Sequence, residues 1–431
     1  MRKYREYTPD QAFLLPPSLS ELIPEDDPVF FLREAIQKLD FEPFHQAYRS
    51  VRGRPPYDPA LIVGLFLYGA MRRTYSSRKL AELCQRDVAC MYLVGGATPD
   101  YHTIGEFRQR FTEELKGLFV QVLGLCAEAG LVRLGHVSLD GTKVRANASR
   151  HKAMSYGRMV EKEAALAAEV EGWLEAGKRE DAEEDAEHGP DDDGWSLPPE
   201  MRRKRERLER IQEAKARLEE RAREQAEAKG EDPEEAEVPR KAQSNFTDPE
   251  SRIMKGSEGF QQCYNAQAAV DAESQVIVAC EVSNAPTDVQ RLRPMLGEVH
   301  ANTGRFPVQF TADAGYASEA NFAALADAGI TAAIALRRYH HDEPPDADPG
   351  PLRGSRRWPY RTAMRAWLST AEGKALYRLR KQIAEPVIGQ IKAARGFRQF
   401  LRRGQQAVEG EWSLVCTAHN LLKLHAATAF P

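Results

Sequence analysis

Between the β-type run HVSLDGTKV (residues 136–144) and the next one, YNAQAAVDA (residues 264–272), stand roughly a hundred residues with no sheet character. Met154–Glu175 and Met201–Lys229 are rich in Glu, Ala, Arg and Lys, mostly good helix formers, while the joining GKREDAEEDAEHGPDDDGWSLPPE is acidic and broken by Gly and Pro. Any sheet that uses both runs must carry an independent helical unit between its first two strands. The pattern predicts an antiparallel helical hairpin projecting from the core, with a disordered acidic tip. Met201, Leu208, Ile211 and Leu218 follow steps of 7, 3 and 7, a narrow coiled-coil seam too short to hold a dimer by itself.

The two flanks differ from the insertion and from each other. Over residues 1–132, apolar positions in DPVFFLREAIQKLDF, DPALIVGLFLYGAMRR and SSRKLAELCQRDVACMYLV recur at helical spacing, each run led by Asp or Ser as a candidate N-cap. A further helix is expected over Thr103–Ala129. Ser77–Arg86 followed by Thr103–Phe111 fits a helix-turn-helix with Arg72, Arg73, Arg78, Lys79, Arg108 and Arg110 on phosphates. An all-α bundle with basic solvated faces fits the pattern equally well. After residue 133 the texture is β: QVIVACEVS, VQFTADAG and ITAAIAL extend the series, with helices expected over Val289–Val299, over Glu319–Ala328 and in one long stretch after Ala363. That order predicts a mixed sheet with helices on its faces, the α/β architecture of a ribonuclease H-like core. The expected domains are an all-α region over 1–132, the α/β core over 133–150 and 242–431, and the hairpin insertion over 151–241.

A net charge of −4 over 431 residues speaks against a nucleic-acid binder, because Lys and Arg on phosphates supply much of that affinity. The distribution of charge speaks for one. Residues 161–240 hold 15 Lys/Arg against 27 Asp/Glu, whereas residues 351–404 hold 14 against 2. The longest apolar run, Leu61–Met71, is far shorter than the about 20 residues of a membrane span, and MRKYREYTPD has no signal-peptide core, so a cytoplasmic chain is expected. Six cysteines without C-x-x-C spacing read as buried thiols in a reducing compartment, and His340-His341 as a solvated loop.

Asp140 and Asp313 end two of the β-type runs, and Glu385 stands in the basic helix YRLRKQIAEPVIGQIK. Taken singly, Asp140-Gly141 and Asp313-Ala314-Gly315 read as turns. Taken together, two acids at strand ends of one core and a third on a cationic helix form a carboxylate cluster suited to divalent metal over a phosphodiester. In-line displacement at phosphorus needs an activated oxygen nucleophile and stabilisation of the leaving oxygen; two Mg²⁺ ions about 4 Å apart supply both and prefer oxygen ligands. Asp140 would bridge both ions, with Asp313 and Glu385 each completing one site. Without metal, clustered carboxylates repel and at least one pKa should rise. Arg378, Lys381, Glu385 and Lys392, at steps of 3, 4 and 7, share a helical face whose cations suit phosphates. Trp358, Tyr360, Trp367 and Tyr377 interleave with these cations and fit either base stacking or the core.

On these residues the chain resembles the DDE transposases of bacterial insertion sequences, whose catalytic domain is ribonuclease H-like and whose last acid lies in a Tyr-Arg-Glu-Lys signature helix. The resemblance runs through PDYHTIGEFRQRF, SLDGTKVRANAS, KGSEGFQQCYNAQAAVD, TADAGYASEAN and YRLRKQIAEPVIGQIKAARGFRQFLRRG into EWSLVCTAHNLLKL. It implies that Asp140, Asp313 and Glu385 are the catalytic, metal-holding acids. Tyr377, Arg378, Arg380, Lys381, Lys392, Arg395 and Arg398 are the expected DNA-binding residues. Either Arg380 or Lys381 is the signature cation, because one extra residue separates Arg380 from Glu385. The resemblance further implies two Mg²⁺ ions, with Mn²⁺ able to substitute, nicking at terminal inverted repeats of double-stranded DNA, and attack of the freed 3′-OH on target DNA. A homodimeric synaptic complex in the nucleoid, without membrane association, belongs to the same expectation. A ribonuclease H-like metal-dependent nuclease without strand transfer, or a non-catalytic DNA-binding protein, are the alternatives. The second leaves the three acids unexplained.

Overall fold

The computed structural model describes residues 18–48, 55–149, 152–188, 199–256, 259–336 and 358–429; the tip of the insertion and His340-His341 lie outside them. Among the described residues seven α-helices make up the N-terminal region: α1 (Pro28–Gln37), α2 (Glu42–Ala47), α3 (Pro59–Met71), α4 (Ser77–Arg86), α5 (Val88–Leu93), α6 (Tyr101–Arg110) and α7 (Thr112–Glu128). Asp27, Asp58, Asp87 and Asp100 start α1, α3, α5 and α6, each accepting a backbone N–H at 2.8–2.9 Å. Helix α3, apolar on nearly every side, is the buried centre.

The expected pair of DNA-reading helices does not form as drawn from the sequence. Helix α5 stands between α4 and α6, and two of the cations assigned to phosphates serve the fold. Arg108 is buried with its guanidinium 4.5 Å from the Phe66 ring, donating to the Tyr75 carbonyl at 3.0 Å, and Arg72 pairs with Asp27 at 3.0 Å.

The remainder runs β1 (His136–Arg145), β2 (Ala153–Ser155), α8 (Tyr156–His188), α9 (Pro199–Lys229), β3 (Gln243–Asn245), β4 (Arg252–Gly256), β5 (Gly259–Asp271), β6 (Ile277–Ser283), α10 (Leu292–Thr303), β7 (Gln309–Ala312), α11 (Glu319–Asp327), β8 (Thr331–Ile334), α12 (Pro359–Ser369), α13 (Ala371–Gly389) and α14 (Gln405–Ala429). The main sheet is mixed, as expected. Strand β1 pairs antiparallel with β5 on one edge and parallel with β7 on the other; β8 extends it beside β7, and β4 and β6 share the far edge of β5. Three short strands, β2 to β4, carry too few apolar residues to be legible in the sequence.

The single long helix expected after Ala363 is three helices. Thr370 caps α13, its hydroxyl accepting from Gly373 N–H at 3.0 Å, and a side chain at Gly373 would meet the Trp367 carbonyl at 2.2 Å. A π-helical turn over Gln390–Ala394 then ends α13. Helix α14 locks the sheet to the N-terminal bundle, contacting α1, α3, α7 and β6. Its Trp412 indole donates to the Gln267 carbonyl at 3.0 Å, and Asn420 clips both the N–H and the carbonyl of Ile277 at 2.8 Å. One apolar core therefore continues from the bundle into the sheet.

The insertion is a helical hairpin with an apolar cluster of its own, Met159, Ile211, Ala214 and Leu218, closed by residues of the small β2–β3 sheet. Ile211 and Leu218 from the expected seam are thus consumed within the hairpin rather than left for a dimer. Ile211→Ala should cost about 2–4 kcal/mol locally. Limited proteolysis should then cut α8 and α9 sooner while the thermal transition of the main sheet stays in place; unchanged cleavage would refute the packing.

Candidate active site

The register of β1 against β7 decides the first half of the site. Leu139 pairs with Ala312 and is the last such pair, so Asp140 and Asp313 follow at equivalent positions of neighbouring parallel strands, which lie about 4.8 Å apart. At Asp313 the chain leaves the sheet: its carboxylate accepts from Gly315 N–H at 2.8 Å and caps a 3₁₀ turn over Ala314–Tyr316. Asp140 behaves differently from the sequence expectation of a strand end. It lies inside β1, which continues to Arg145 because β5 stays paired with it and the segment around Gln399 bridges to Arg145 where β7 has departed. Asp140-Gly141 is therefore not a turn. Gly141 is there because a Cβ would sit 2.4 Å from the Gln267 amide nitrogen and 3.0 Å from Asp288.

Helix α13 brings the third acid. Arg380, only 11% exposed, donates from Nη2 to Glu385 at 2.9 Å and places Nη1 3.8 Å from Asp140. It is Arg380, rather than the exposed Lys381, that stands between the first and third acids. Burial opposes its charge, yet Tyr377, Asp140, Glu385 and Asp313 together raise its pKa. The Asp140 carboxyl is pushed up to about 6, chiefly by burial; Arg380 opposes the shift, and Asp313 and Glu385 add to it.

The other expected residues divide. Lys392, in the π turn, donates from Nζ to the Thr142 hydroxyl at 2.9 Å and the Lys143 carbonyl at 3.0 Å, fastening α13 to β1. Tyr377 is half-buried with Arg380 5.9 Å from its ring, while Arg378 and Arg398 are exposed. Arg395 is a correction: it is buried and donates to His419 at 2.6 Å, so it serves the interior and not a DNA-facing surface. Trp358 and Tyr360 are exposed, whereas Trp367 packs against the core.

Beneath the acids, on the opposite face of β1, lies a layer absent from the sequence reading. Asp288 accepts from Lys143 at 3.1 Å, from Asn265 at 2.5 Å and from Gln267 at 3.0 Å. Gln267 also accepts from the buried Tyr316 hydroxyl, whose pKa burial and then Asp288, Asp140 and Asp313 raise. A sequence signal did exist: Asn265 and Gln267 alternate on one face of an otherwise apolar strand and need polar partners.

Carboxylate oxygens suit a hard divalent cation, and Asp140, Asp313 and Glu385 supply them. As the side chains stand, however, no group of three His, Cys, Asp or Glu among the described residues is closed around a metal position; Arg380 supplies the positive charge between Asp140 and Glu385.

A raised carboxyl pKa means that the folded chain binds the proton more tightly than the unfolded one. In metal-free protein the stability contribution of Asp140 is therefore full below about pH 4 and falls as pH rises to about 6. Asp140→Asn should raise Tm relative to wild type at pH 8 and not at pH 4; an equal difference at both would contradict the shift. Gly141→Ala should destabilise by about 1–3 kcal/mol in denaturant unfolding, because Gln267 is held at both ends and cannot yield.

Two family models match the chain. Residues 17–110 match a Transposase domain (DUF772), and residues 232–421 match a Transposase DDE domain. No curated protein and no solved structure matches it significantly. Among the described residues no helix is long and apolar enough to cross a membrane.

Proposed function

The chain belongs to the insertion-sequence DDE transposases, enzymes of metal-dependent DNA cleavage and strand transfer with a ribonuclease H-like core, and from that premise we propose how its residues divide the work. The observation that carries the proposal is the β1–β7 register, which sets Asp140 beside Asp313 while Arg380 ties Glu385 to the same spot. Asp140, Asp313 and Glu385 would hold the divalent cation, Mg²⁺ with Mn²⁺ as substitute. That cation, when bound, activates the attacking oxygen and stabilises the leaving one.

Arg380 keeps Glu385 turned toward Asp140 across α13. Lys392, bound to Thr142 and Lys143, fixes the distance between α13 and β1. Tyr377, Arg378, Lys381 and Arg398 face the DNA backbone. Hydrolysis at a terminal inverted repeat yields a 3′-OH, and attack of that oxygen on a target phosphodiester releases one target strand end for each bond formed. Residues 1–132 serve end binding and pairing of two copies, and the enzyme acts on the nucleoid as a homodimer in the synaptic complex.

The test uses a labelled duplex carrying the repeat found beside the gene, a target plasmid and Mg²⁺. Joined products are expected from wild type. Asp140→Asn, Asp313→Asn and Glu385→Gln should each abolish cleavage and joining while DNA affinity stays within a few-fold. Wild-type cleavage by any of them removes that residue from the site, and cleavage without joining by wild type favours a simple nuclease.

A further inference from the structure

The insertion carries a second charge pattern, hidden by its acidic average. Along α9 five cations have acidic partners: Lys204 with Glu169 at 3.0 Å, Arg205 with Glu209 at 3.3 Å, Lys215 with Glu163 at 2.9 Å, Arg217 with Glu213 at 3.7 Å and Arg223 with Glu220 at 4.0 Å. Arg203, Arg207 and Arg210 have none among the described residues, and their steps of 4 and 3 put them on one face. That face forms one wall of a groove of about 660 Å³ whose other wall carries Lys152 and Arg403; Glu206 is the single acid in it. Five like charges around one groove, with a single acid among them, call for an anionic occupant.

The groove does not stand alone. A second cavity, about 380 Å³, is lined by Lys143, Arg145, Lys392 and Arg398, beginning one residue past Asp140 at Gly141. The two are joined by chain. Arg145 N–H donates to the Arg398 carbonyl at 3.2 Å, Phe400 N–H donates to the Arg145 carbonyl at 2.8 Å, and Arg403 donates to the Asn147 carbonyl at 2.9 Å. The segment from Arg398 to Arg403 thus runs along the end of β1. Five residues of strand, about 17 Å, lead from Asp140 to Arg145, and the cationic lining continues from there to α9.

We infer that this track binds the phosphate backbone of the DNA duplex that enters the active site, with the hairpin insertion acting as its outer clamp through Arg203, Arg207 and Arg210. The inference rests on the transposase reading. Guanidinium groups match phosphate oxygens, and a backbone contact requires no particular sequence. The insertion is then a basic clamp on one face and a paired, solvated helix on the other.

Full-length protein is titrated into a labelled short duplex of arbitrary sequence over a series of KCl concentrations, with anisotropy as readout. Three proteins are compared: wild type, Arg203→Gln/Arg207→Gln/Arg210→Gln, and a control of equal charge change at paired positions, Lys204→Gln/Arg217→Gln/Arg223→Gln. Each phosphate contact contributes about 0.9 to the slope of log K against log salt, so the groove variant should lose about 2–3 units of slope and the control less than about 1. Arg403→Gln, on the opposite wall and outside the hairpin, should lose about 1, which guards against a merely misfolded hairpin. Equal slopes for wild type and groove variant overturn the inference and leave the transposase reading intact. So does an altered sedimentation behaviour with unchanged slope, which would assign the groove to an acidic face of a second copy. A wild type that binds no duplex sinks both.

Discussion

Strand β1 is paired on two edges, but its partner β7 leaves one residue after Leu139. The rest of the site depends on that unequal pairing. Because β7 turns away at Asp313 while β1 runs on beside β5, two acids emerge side by side with their strands held rigidly behind them, and the space β7 vacates is open to α13. A register slip by one residue would send one of the two acids to the opposite face of the sheet. The pairing of β1 with β5 is pinned from below by Asp288, whose bonds to Lys143, Asn265 and Gln267 cross between the two strands, and by Gly141, where a Cβ would sit 2.4 Å from the Gln267 amide nitrogen. A charged group with three donors in a partly buried layer is costly to leave unsatisfied, so this layer tolerates few alternatives.

Electrostatics above the sheet balance differently. Burial pushes the Asp140 carboxyl up more than Arg380 holds it down, and the neighbouring acids add to the rise. Arg380 is thus a structural counter-charge as well as a tether for Glu385. The π turn after Gly389 has a related role: it departs from α-helical geometry so that Lys392 meets Thr142 and the Lys143 carbonyl. Helix α13 is in this way bound to β1 at both acids' ends, by Arg380 at one and Lys392 at the other.

The insertion shows why segment totals of charge mislead. Over the hairpin the excess is negative, but salt bridges along and across the helices absorb five of α9's cations locally, while Arg203, Arg207 and Arg210 gather on the face that lines the groove. What matters for a polyanion is the field on one surface rather than the sum over a sequence.

The sequence by itself determined the all-α beginning, the five principal β runs and the hairpin between the first two of them, because apolar period and helix propensity are local properties. It also singled out Asp140, Asp313 and Glu385 by residue type and setting. It misplaced Arg395 and Arg108, since a long cationic chain on an amphipathic helix gives no local sign of whether its head reaches solvent or a buried acceptor. It missed Asp288, which stands in a polar loop and gains meaning only from amides on a strand 21 and 23 residues earlier. Whether Arg380 or Lys381 faces the acids was equally undecidable, because one residue is a rotation of about 100° that only packing against the sheet fixes. Residue chemistry and periodicity are written along the chain; which side of an element meets which partner is set by the register of strands and the seating of helices, and those exist only once distant segments have paired.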